Sequence, residues 1–283
     1  MVAAEFKKLD NKDKDDAVAL LSREVENNML VLYNIGAFGL ESDDNRLSGQ
    51  YFGRREGKRL VAIGALYDLG SMLFFAETDG ALSGIGEYVV DLGISPHFIR
   101  GKRNQCALLL GEIGHRLGSY NIYPSELMAL RRGELKDSDV SPGARPATMD
   151  DLEQIVDMAL AMESEQFDGT TLMRAVMREL LSLYVESGTA FVLEEGGNIT
   201  CKAEGRLAGG AGAQVGGVYT FPRLRGRGYA TDVVRAVCLR LFEEVSIIAL
   251  DVSEDNVSAA GVYHRIGFEK LDESLIATRK SGA

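Results

Sequence analysis

The spacing of apolar residues along the first half of the chain changes from helical to strand-like and back. Residues 13–32 and 104–117 repeat apolar side chains every three or four positions, which predicts two helices. Between them lie short apolar or alternating runs bounded by glycine or charged turns, a pattern typical of strands. The predicted strands of this half are residues 48–54, 59–67, 71–76 and 87–94. The first half is therefore expected to run helix, antiparallel strands, strand, helix.

The second half repeats this order of elements. Thr148 or Asp150 can cap a helix over residues 149–162. The other predicted helices are residues 172–186, 229–244 and 258–266. The predicted strands are residues 190–194, 199–205, 214–220, 247–252 and 268–276. The pattern predicts a mixed α/β fold in which each half has a central, mostly antiparallel mixed sheet with flanking helices.

A polar stretch over residues 136–146 separates the two halves and contains Pro142 and Gly143, between which we place a domain boundary. The predicted domains are residues 1–142 and 143–283. Lys and Arg divide between them as 17 and 14, and Asp and Glu as 21 and 21. The net charges are therefore 17 − 21 = −4 and 14 − 21 = −7. Both halves are acidic, so neither is a charged tail.

The formal net charge of −11 has the wrong sign for a chain that binds DNA or RNA by neutralising phosphates. The three cysteines are far apart and lack metal-ligand spacing, which disfavours a zinc site and a disulfide framework. No window of about 18 residues is apolar enough to span a bilayer. We expect a cytoplasmic protein with no metal, no nucleic-acid partner and no membrane partner.

Glycine is abundant, with 32 residues against 5 prolines, and it concentrates between residues 205 and 228. Gly226 and Gly228 lie between a predicted strand and an amphipathic helix, where backbone N–H groups can bind an anion. Arg223, Arg225 and Arg227 make this turn a basic island in an acidic half. The turn lacks the third glycine of a dinucleotide-binding motif and the Gly-Lys-Ser/Thr of a P-loop. A pyrophosphate site and a turn with solvated arginines both stay open.

Two segments of the second half resemble signatures of the GNAT N-acetyltransferase superfamily. Arg223-Leu-Arg-Gly226-Arg-Gly228 is similar to the family's Gln/Arg-x-x-Gly-x-Gly/Ala loop, which binds the pyrophosphate of acyl-CoA. Residues 247–268 resemble the strand and helix that follow, and the two signatures together cover roughly residues 214–268. The matching residues of the second signature are Asn256, Ala260, Tyr263, Gly267 and Phe268.

The resemblance implies that the C-terminal domain uses acetyl-CoA as its cosubstrate. The strand before the loop is expected to splay from its neighbour, so that its backbone binds the pantetheine arm as an extra strand would. The amides of residues 225–231 are expected to bind the pyrophosphate. The cofactor-binding residues so implied are Val218, Tyr219, Thr220, Arg223, Arg225, Gly226, Arg227, Gly228, Tyr229, Ala230, Thr231 and Asn256.

The same resemblance implies catalytic roles. Tyr263 matches the family's general acid, which protonates the departing CoA thiolate, and an aromatic residue packed on the sheet is the alternative reading. A backbone N–H of Tyr219 or a neighbour is expected to hold the oxyanion. Glu204 is our candidate for the base that takes the amine proton. Asp251, Glu194 and Glu195 are the alternative bases.

Three other residues have plain structural interpretations. Asn256 can cap the N-terminus of a helix as readily as it can contact pantetheine. Cys201 lacks a His or Asn partner in its sequence context, so it is expected to be a small buried hydrophobe and no nucleophile. His264 is expected on the helix surface beside Tyr263.

The N-terminal half carries a weaker version of the loop. With a gap, residues 86–104 can be set against residues 216–229, which aligns residues 100–103 with the basic loop and puts Arg103 in place of its second glycine. A side chain there would crowd a bound anion. Residues 26–39 resemble the N-terminal segment of two-domain predicted acetyltransferases, including glycine N-acyltransferase-like proteins. We expect a degenerate GNAT-like domain, or an unrelated cap domain, that does not bind CoA but closes the acceptor pocket or packs against the C-terminal domain.

The activity implied is transfer of acetyl from acetyl-CoA to a primary amine of a small molecule, by direct attack in a ternary complex. The acidic surface favours a cationic acceptor. The alternative is a sensor or interaction module that binds acyl-CoA without turnover. The sequence leaves the oligomeric state open, with a homodimer as one of the alternatives.

Overall fold

The computed structural model describes residues 5–41, 48–68, 70–136, 143–167 and 173–280. These residues form two compact units, one made of Met1–Leu127 with Asp272–Ala283 and the other of Met128–Leu271. We call them the N-terminal unit and the C-terminal unit. The predicted boundary between Pro142 and Gly143 falls at the edge of a stretch that lies outside the described residues.

Helices and strands are interspersed along the described chain. The helices are α1 (Lys14–Leu21), α2 (Val25–Phe38), α3 (Ile85–Asp91), α4 (Arg103–Leu117), α5 (Leu152–Gln166), α6 (Arg174–Glu186), α7 (Tyr229–Leu241) and α8 (Val257–Ile266). The strands are β1 (Lys7–Lys8), β2 (Gly49–Glu56), β3 (Arg59–Tyr67), β4 (Ser71–Ala76), β5 (Phe98–Lys102), β6 (Tyr120–Arg131), β7 (Ala144–Pro146), β8 (Ala190–Glu195), β9 (Asn198–Leu207), β10 (Ala213–Thr220), β11 (Ile247–Ser253) and β12 (Glu269–Arg279).

The N-terminal unit contains strands in the order β1-β2-β3-β4-β5-β12. Neighbours pair antiparallel except β4 and β5, which are parallel. Helices α3 and α4 bury Val89, Leu109 and Ile113 against one face of this sheet. From β12, Leu275 and Ala277 join the same core. The last strand of the chain therefore completes a sheet that the first strands begin.

The C-terminal unit contains strands in the order β11-β10-β9-β8-β7, and again only one pair, β10 and β11, is parallel. Helices α7 and α8 cover one face, where Cys201 and Ala203 of β9 are buried. Side chains alternate across a strand, so Lys202 and Glu204 lie on the opposite face, against which α5 and α6 pack. The predicted mixed α/β fold, with a mostly antiparallel sheet and flanking helices in each half, is confirmed.

Several predicted elements of the N-terminal half are wrong in kind or extent. Residues 87–94 were expected to be a strand, but α3 occupies Ile85–Asp91. Ile85 and Val89 are both fully buried, so the four-residue spacing of the core side chains overrides the strand preference of the β-branched residues. The strand of this region is β5, which the sequence pattern did not indicate.

The helix predicted over residues 13–32 is interrupted. A 3-10 turn at Ser22–Glu24 separates α1 from α2. The buried side chain of Asn28 donates to the carbonyl oxygens of Leu21 and Glu24 at 3.1 and 2.9 Å. This amide supplies the partners that the carbonyls lose where the helical ladder breaks.

Candidate active site

Strands β10 and β11 separate soon after they begin to pair. Their parallel register covers Ala213 with Ile248 and Gln214 with Ala249. Strand β10 continues to Thr220 and β11 to Ser253, and no further pair joins them among the described residues. The separation leaves one edge of β10 open, which is the splay expected from the sequence.

A β-bulge lies in β10 at the start of this open edge. Gly216 pairs with Glu204 and Tyr219 with Lys202, so two residues of β10 face one residue of β9. Gly217 has φ +60°, and a Cβ on it would lie 1.7 Å from the Glu204 Oε1 atom. Both the left-handed backbone and the space taken by Glu204 therefore require glycine at this position.

A buried ion pair lies directly against the bulge. Lys202 Nζ is 2.9 Å from Glu204 Oε2 and 3.3 Å from Oε1. The same ammonium donates to the carbonyl oxygen of Gly217 at 2.9 Å. Lys202 is 1% exposed and Glu204 5%. Glu204, the predicted base, thus lies beside the open strand, but both of its carboxylate oxygens face the Lys202 ammonium.

The glycine turn after β10 leads into α7. Gly226 and Gly228 have φ of +79° and +88°, and nothing lies within 4 Å of a Cβ built on either. The amides of Arg225 and Thr231 bond the carbonyls of Pro222 and Gly228. Among the described residues, the amides of residues 226–230 have no protein acceptor. The turn therefore presents a shorter run of unpaired N–H groups than the predicted 225–231, next to open space.

The arginines of this turn already have protein partners. Arg225 donates to the carbonyl of Thr220 at 3.0 Å and pairs with Glu165 at 2.6 Å. Arg227 lies 3.9 Å from Glu195, which also accepts a 2.5 Å hydrogen bond from the hydroxyl of Tyr229. Glu165 and Glu195 thus partly neutralise the positive charge of this turn. Of the predicted residues in this turn, Arg223 is exposed, while Tyr229, Ala230 and Thr231 form the first turn of α7.

Glu165, at the end of α5, was missed by the sequence analysis. Its carboxylate accepts 2.6 Å hydrogen bonds from the Tyr219 hydroxyl and from Arg225. Burial alone would raise the pKa of Glu165, but the hydrogen bonds from Tyr219 and Arg225 together lower it. Burial, and then the hydrogen bond to Glu165, raise the pKa of Tyr219 to about 12. The helical spacing of α5 gave no sign of this contact, because it depends on how α5 packs on β10.

Tyr263 lies in the core between the sheet and α8. It is 7% exposed and packs edge to face with Phe268 at a ring distance of 5.9 Å. Burial raises the pKa of the Tyr263 phenol, and the nearby thiols of Cys201 and Cys238 add to the shift. The phenol therefore stays protonated at physiological pH, the form that a general acid needs. The packing is equally that of a core aromatic, so both sequence interpretations persist.

Cys201 and Asn256 have the structural roles that the sequence left open. Burial raises the pKa of the Cys201 thiol to about 11, and the thiol accepts a 3.1 Å hydrogen bond from Thr220. A protonated, enclosed thiol is a poor nucleophile. Asn256 caps α8 with its Oδ1 atom, which accepts from the Ala259 amide at 3.1 Å. The cap leaves the Nδ2 group of Asn256 able to donate.

A second polar group lies on the α5 and α6 face where β10 and β11 part. Gln214 Nε2 donates to Asp251 Oδ2 at 3.2 Å. Gln214 is 7% exposed, and its Oε1 atom has no hydrogen-bond partner in the described part of the chain. On the next strand, Arg206 donates to the hydroxyl of Tyr184 at 2.8 Å. Of the alternative bases, Asp251 lies at the separation, whereas Glu194 pairs with Arg145 at the far side of the sheet.

The N-terminal unit contains the matching strand separation, but it is filled. Strands β4 and β5 pair in parallel only as far as Leu73, and β4 continues to Ala76. Gln105, in the first turn of α4, accepts from the Ala76 amide at 3.2 Å and donates to the Ala76 carbonyl at 2.8 Å. Gln105 is buried. A side-chain amide therefore occupies backbone groups of the kind that the open edge of β10 leaves available.

The turn after β4 is residues 77–84, and the alignment of residues 100–103 with the basic loop is wrong. Those residues end β5, and Arg103 begins α4. Gly84 precedes α3 with φ +87°, just as Gly228 precedes α7 with φ +88°. The N-terminal turn has two acidic and no basic residues, and α3 is only 7 residues long. The matching position thus lacks both the charge and the long helix that favour an anion.

No group of three or more His, Cys, Asp or Glu side chains among the described residues is arranged to hold a metal ion. None of the helices within the described ranges is long and apolar enough to cross a membrane.

The comparisons with known proteins bear on the fold. Residues 201–277 match the family model described as FR47-like protein. A GCN5-related N-acetyltransferase from Sphaerobacter thermophilus is similar at 14% identity and a TM-score of 0.63, covering 96% of this chain and 94% of that one. A tandem GNAT protein from the clavulanic acid biosynthesis pathway has 14% identity and a TM-score of 0.58, with 99% of both chains covered. A Drosophila protein has 14% identity and a TM-score of 0.70, with 98% of this chain and 99% of that one covered.

No curated protein sequence matches the chain. The structural neighbours cover nearly all of it, so the likeness includes both units. The FR47-like match and these neighbours confirm the resemblance to the GNAT superfamily: the chain has the GNAT fold, and its residues 201–277 carry the FR47-like segment.

Proposed function

We propose that the C-terminal unit is an N-acetyltransferase that transfers acetyl from acetyl-CoA to a primary amine of a small molecule. The observation that carries this proposal is the separation of β10 from β11 immediately before a glycine turn with unpaired amides. One open strand edge can bind the amide groups of pantetheine, and the adjacent helix N-terminus can bind its pyrophosphate. A single ligand that carries both groups at this spacing fits both features.

The cosubstrate would lie along residues 218–220 and 226–230. Val218, Tyr219 and Thr220 supply strand backbone to the pantetheine arm, and the amides from Gly226 to Ala230 supply donors to the pyrophosphate. Arg225 and Arg227 can add charge when they exchange Glu165 and Glu195 for phosphate oxygens. The Nδ2 group of Asn256 can reach the pantetheine while its Oδ1 atom keeps the helix cap.

The proposed reaction is direct attack within a ternary complex. The amine nitrogen forms a bond to the thioester carbon, the carbonyl becomes an oxyanion, and the C–S bond then breaks. Tyr263 donates its phenol proton to the departing thiolate, and a base takes the proton from the amine. The raised pKa of Tyr263 keeps that proton in place until the thiolate forms.

We assign the base to Asp251 in preference to Glu204. A proton on Glu204 would break its ion pair with Lys202, and both groups are buried, so protonation would leave an uncompensated charge. Asp251 lies at the strand separation, beside the unpartnered Oε1 atom of Gln214. A carboxylate and an amide oxygen suit an ammonium or amine donor, which also favours a cationic acceptor.

An assay of CoA release with a panel of primary amines tests the proposal. We expect amine-dependent release by the wild type, and about 10²-fold slower release by Tyr263→Phe, because the phenol proton is lost while the ring stays in place. CoA affinity, measured by calorimetry, should be equal in the two proteins. CoA binding without release for any amine would overturn the enzyme and favour the sensor.

A further inference from the structure

Lys202 is a buried lysine whose ammonium group faces a backbone carbonyl of the open strand. Its side chain is 2% exposed, and lysine is almost never fully buried unless it is paired. Glu204 supplies the counter-charge at 2.9 Å, and the Gly217 carbonyl oxygen is the other acceptor, also at 2.9 Å. Burying this pair costs free energy that a neutral pair of similar size would avoid. A role tied to the Gly217 peptide would account for its presence.

We infer that Lys202 is a positioning residue that polarises the Gly217–Val218 peptide, so that the Val218 N–H becomes the oxyanion donor for the acetyl carbonyl. The inference rests on the proposed function. The sequence predicted that an N–H of Tyr219 or a neighbour holds the oxyanion. The inference assigns that role to the residue before Tyr219. It also gives the Lys202 and Glu204 pair a role in catalysis without proton transfer by either group.

The direction of the peptide supports this assignment. The described chain has no cis peptide bond, and in a trans peptide the C=O and N–H groups point in opposite directions. The Gly217 carbonyl points to the Lys202 ammonium, so the Val218 N–H points away from it. The bulge removes Gly217 and Val218 from regular pairing with β9, and β11 has already parted from β10 at Gln214.

The charge of Lys202 strengthens the Val218 N–H as a donor. A hydrogen bond accepted by a carbonyl polarises its peptide and strengthens the bond that the N–H of that peptide donates, by roughly 10–30% for neutral partners. A charged donor in a buried site has a larger effect than a neutral one. The ammonium therefore adds stabilisation where negative charge develops on the acetyl oxygen, without contacting that oxygen itself.

Glu204 keeps Lys202 and Gly217 in this arrangement. Its carboxylate fills the space that any side chain on Gly217 would need, and it holds the ammonium from the side. The charge of Lys202 is thereby balanced, which allows it to be buried. Replacing Glu204 by Gln keeps this packing but removes the counter-charge of the buried ammonium, so the two residues are changed together in the test.

The test is the infrared carbonyl stretch of acetyl-CoA carrying a ¹³C label in the acetyl group, measured on the bound thioester. In the wild type, we expect the stretch to lie below that of free acetyl-CoA, because the Val218 N–H withdraws charge from the carbonyl. In Lys202→Met combined with Glu204→Gln, which removes the charged pair while keeping its size, the stretch should return most of the way to the free value. The turnover number should fall roughly tenfold, with the KM for acetyl-CoA changed less than about twofold.

A control variant separates polarisation from packing. Thr200→Val is the matched control, because Thr200 is buried on the same face of β9 and bonds Leu193 rather than Gly217. An unchanged stretch in the double variant, or an equal loss in Thr200→Val, would overturn the inference. A wild type that binds no acetyl-CoA would instead refute the proposed function itself.

Discussion

The two units have their helices and strands in the same order, but they differ at the point where two parallel strands separate. In the C-terminal unit, β10 leaves β11 after Gln214 and its edge stays open. In the N-terminal unit, Gln105 bonds both backbone groups of Ala76 at the matching place. The turn that follows is basic in one unit and acidic in the other. One buried amide side chain and the charge of one turn thus distinguish a candidate site from a filled core.

The comparison also separates what a glycine does in each unit. Gly84 and Gly228 have nearly the same backbone conformation at the start of a helix, with φ of +87° and +88°. Of the two, Gly228 alone belongs to a turn that contains arginines and leads into a 13-residue helix. The left-handed glycine is therefore needed for the turn in both units, while anion binding requires the rest of the turn.

The largest effect is expected at the bulge of the open cleft. Gly217→Ala should slow CoA release about 10²-fold or more, since the new Cβ would displace Glu204 and shift the backbone of β10. The free energy of unfolding, measured by thermal denaturation, should fall by about 2–4 kcal/mol. Gly57→Ala is the matched control, because Gly57 has φ +63° and nothing lies within 4 Å of a Cβ built on it. This variant should lose only about 1 kcal/mol of unfolding free energy and keep full activity. Equal behaviour of the two variants would contradict the role given to the bulge.

The next largest effect is expected at the glycine before α7, with the glycine before α3 as its counterpart. Gly228→Arg should weaken CoA binding about tenfold or more, because a side chain enters the space over the unpaired amides. Gly84→Arg carries the same backbone cost in the N-terminal unit and should change CoA affinity less than about twofold. Calorimetry measures both. A loss of affinity in Gly84→Arg equal to that in Gly228→Arg would remove the distinction between the units.

A smaller effect is expected when the Gln105 amide is removed from the strand separation of the N-terminal unit. Gln105→Met should lower the free energy of unfolding by about 1–3 kcal/mol, because it leaves the Ala76 N–H and C=O buried and unpaired. Asn104→Ala, at an exposed neighbouring position, should cost less than about 1 kcal/mol. Chemical denaturation measures the difference. CoA stoichiometry should stay at one, and a second CoA bound by Gln105→Met would show that Gln105 alone closes the N-terminal cleft.

The smallest effect is on acid stability at the start of α5, which positions Glu165. Hydrogen bonds from Arg145 lower the pKa of Asp151 to about 2 from its ordinary 3.8. A carboxyl whose folded pKa is depressed stabilises the fold above its unfolded pKa, and this stability is lost as pH falls from about 4 to about 2. Because Arg145 is partly exposed, solvent screening limits the change to about 1 kcal/mol.

Denaturation of Asp151→Asn between pH 7 and pH 2 measures this contribution. The variant should be less stable than the wild type at neutral pH, and the difference should shrink towards pH 2. Asp150→Asn, at an exposed neighbour, should follow the wild-type profile. An Asp151→Asn curve parallel to that of the wild type would show that the ion pair contributes nothing.

The sequence predicted the C-terminal unit well because its motifs and spacings are local. The loop from Arg223 to Gly228 and the helix that carries Tyr263 each follow from one continuous segment. Lys202 was missed because its contact with Gly217 depends on the bulge between β9 and β10, which no local pattern shows. Glu165 was missed because it contacts the site through packing between elements distant in sequence. Gln105 was missed for the same reason: no local pattern shows that a helix side chain will reach Ala76. In α3, the buried spacing of Ile85 and Val89 overrode the β-branched composition.

The most direct test of the account is a crystal structure of the protein with acetyl-CoA. We expect one molecule per chain, with its pyrophosphate at the amides of residues 226–230, its pantetheine along residues 218–220 and its acetyl oxygen facing the Val218 N–H. Gln105 should still bond Ala76. Acetyl-CoA bound instead along β4, with Gln105 displaced, would contradict the central claim that only the C-terminal cleft is open to the ligand.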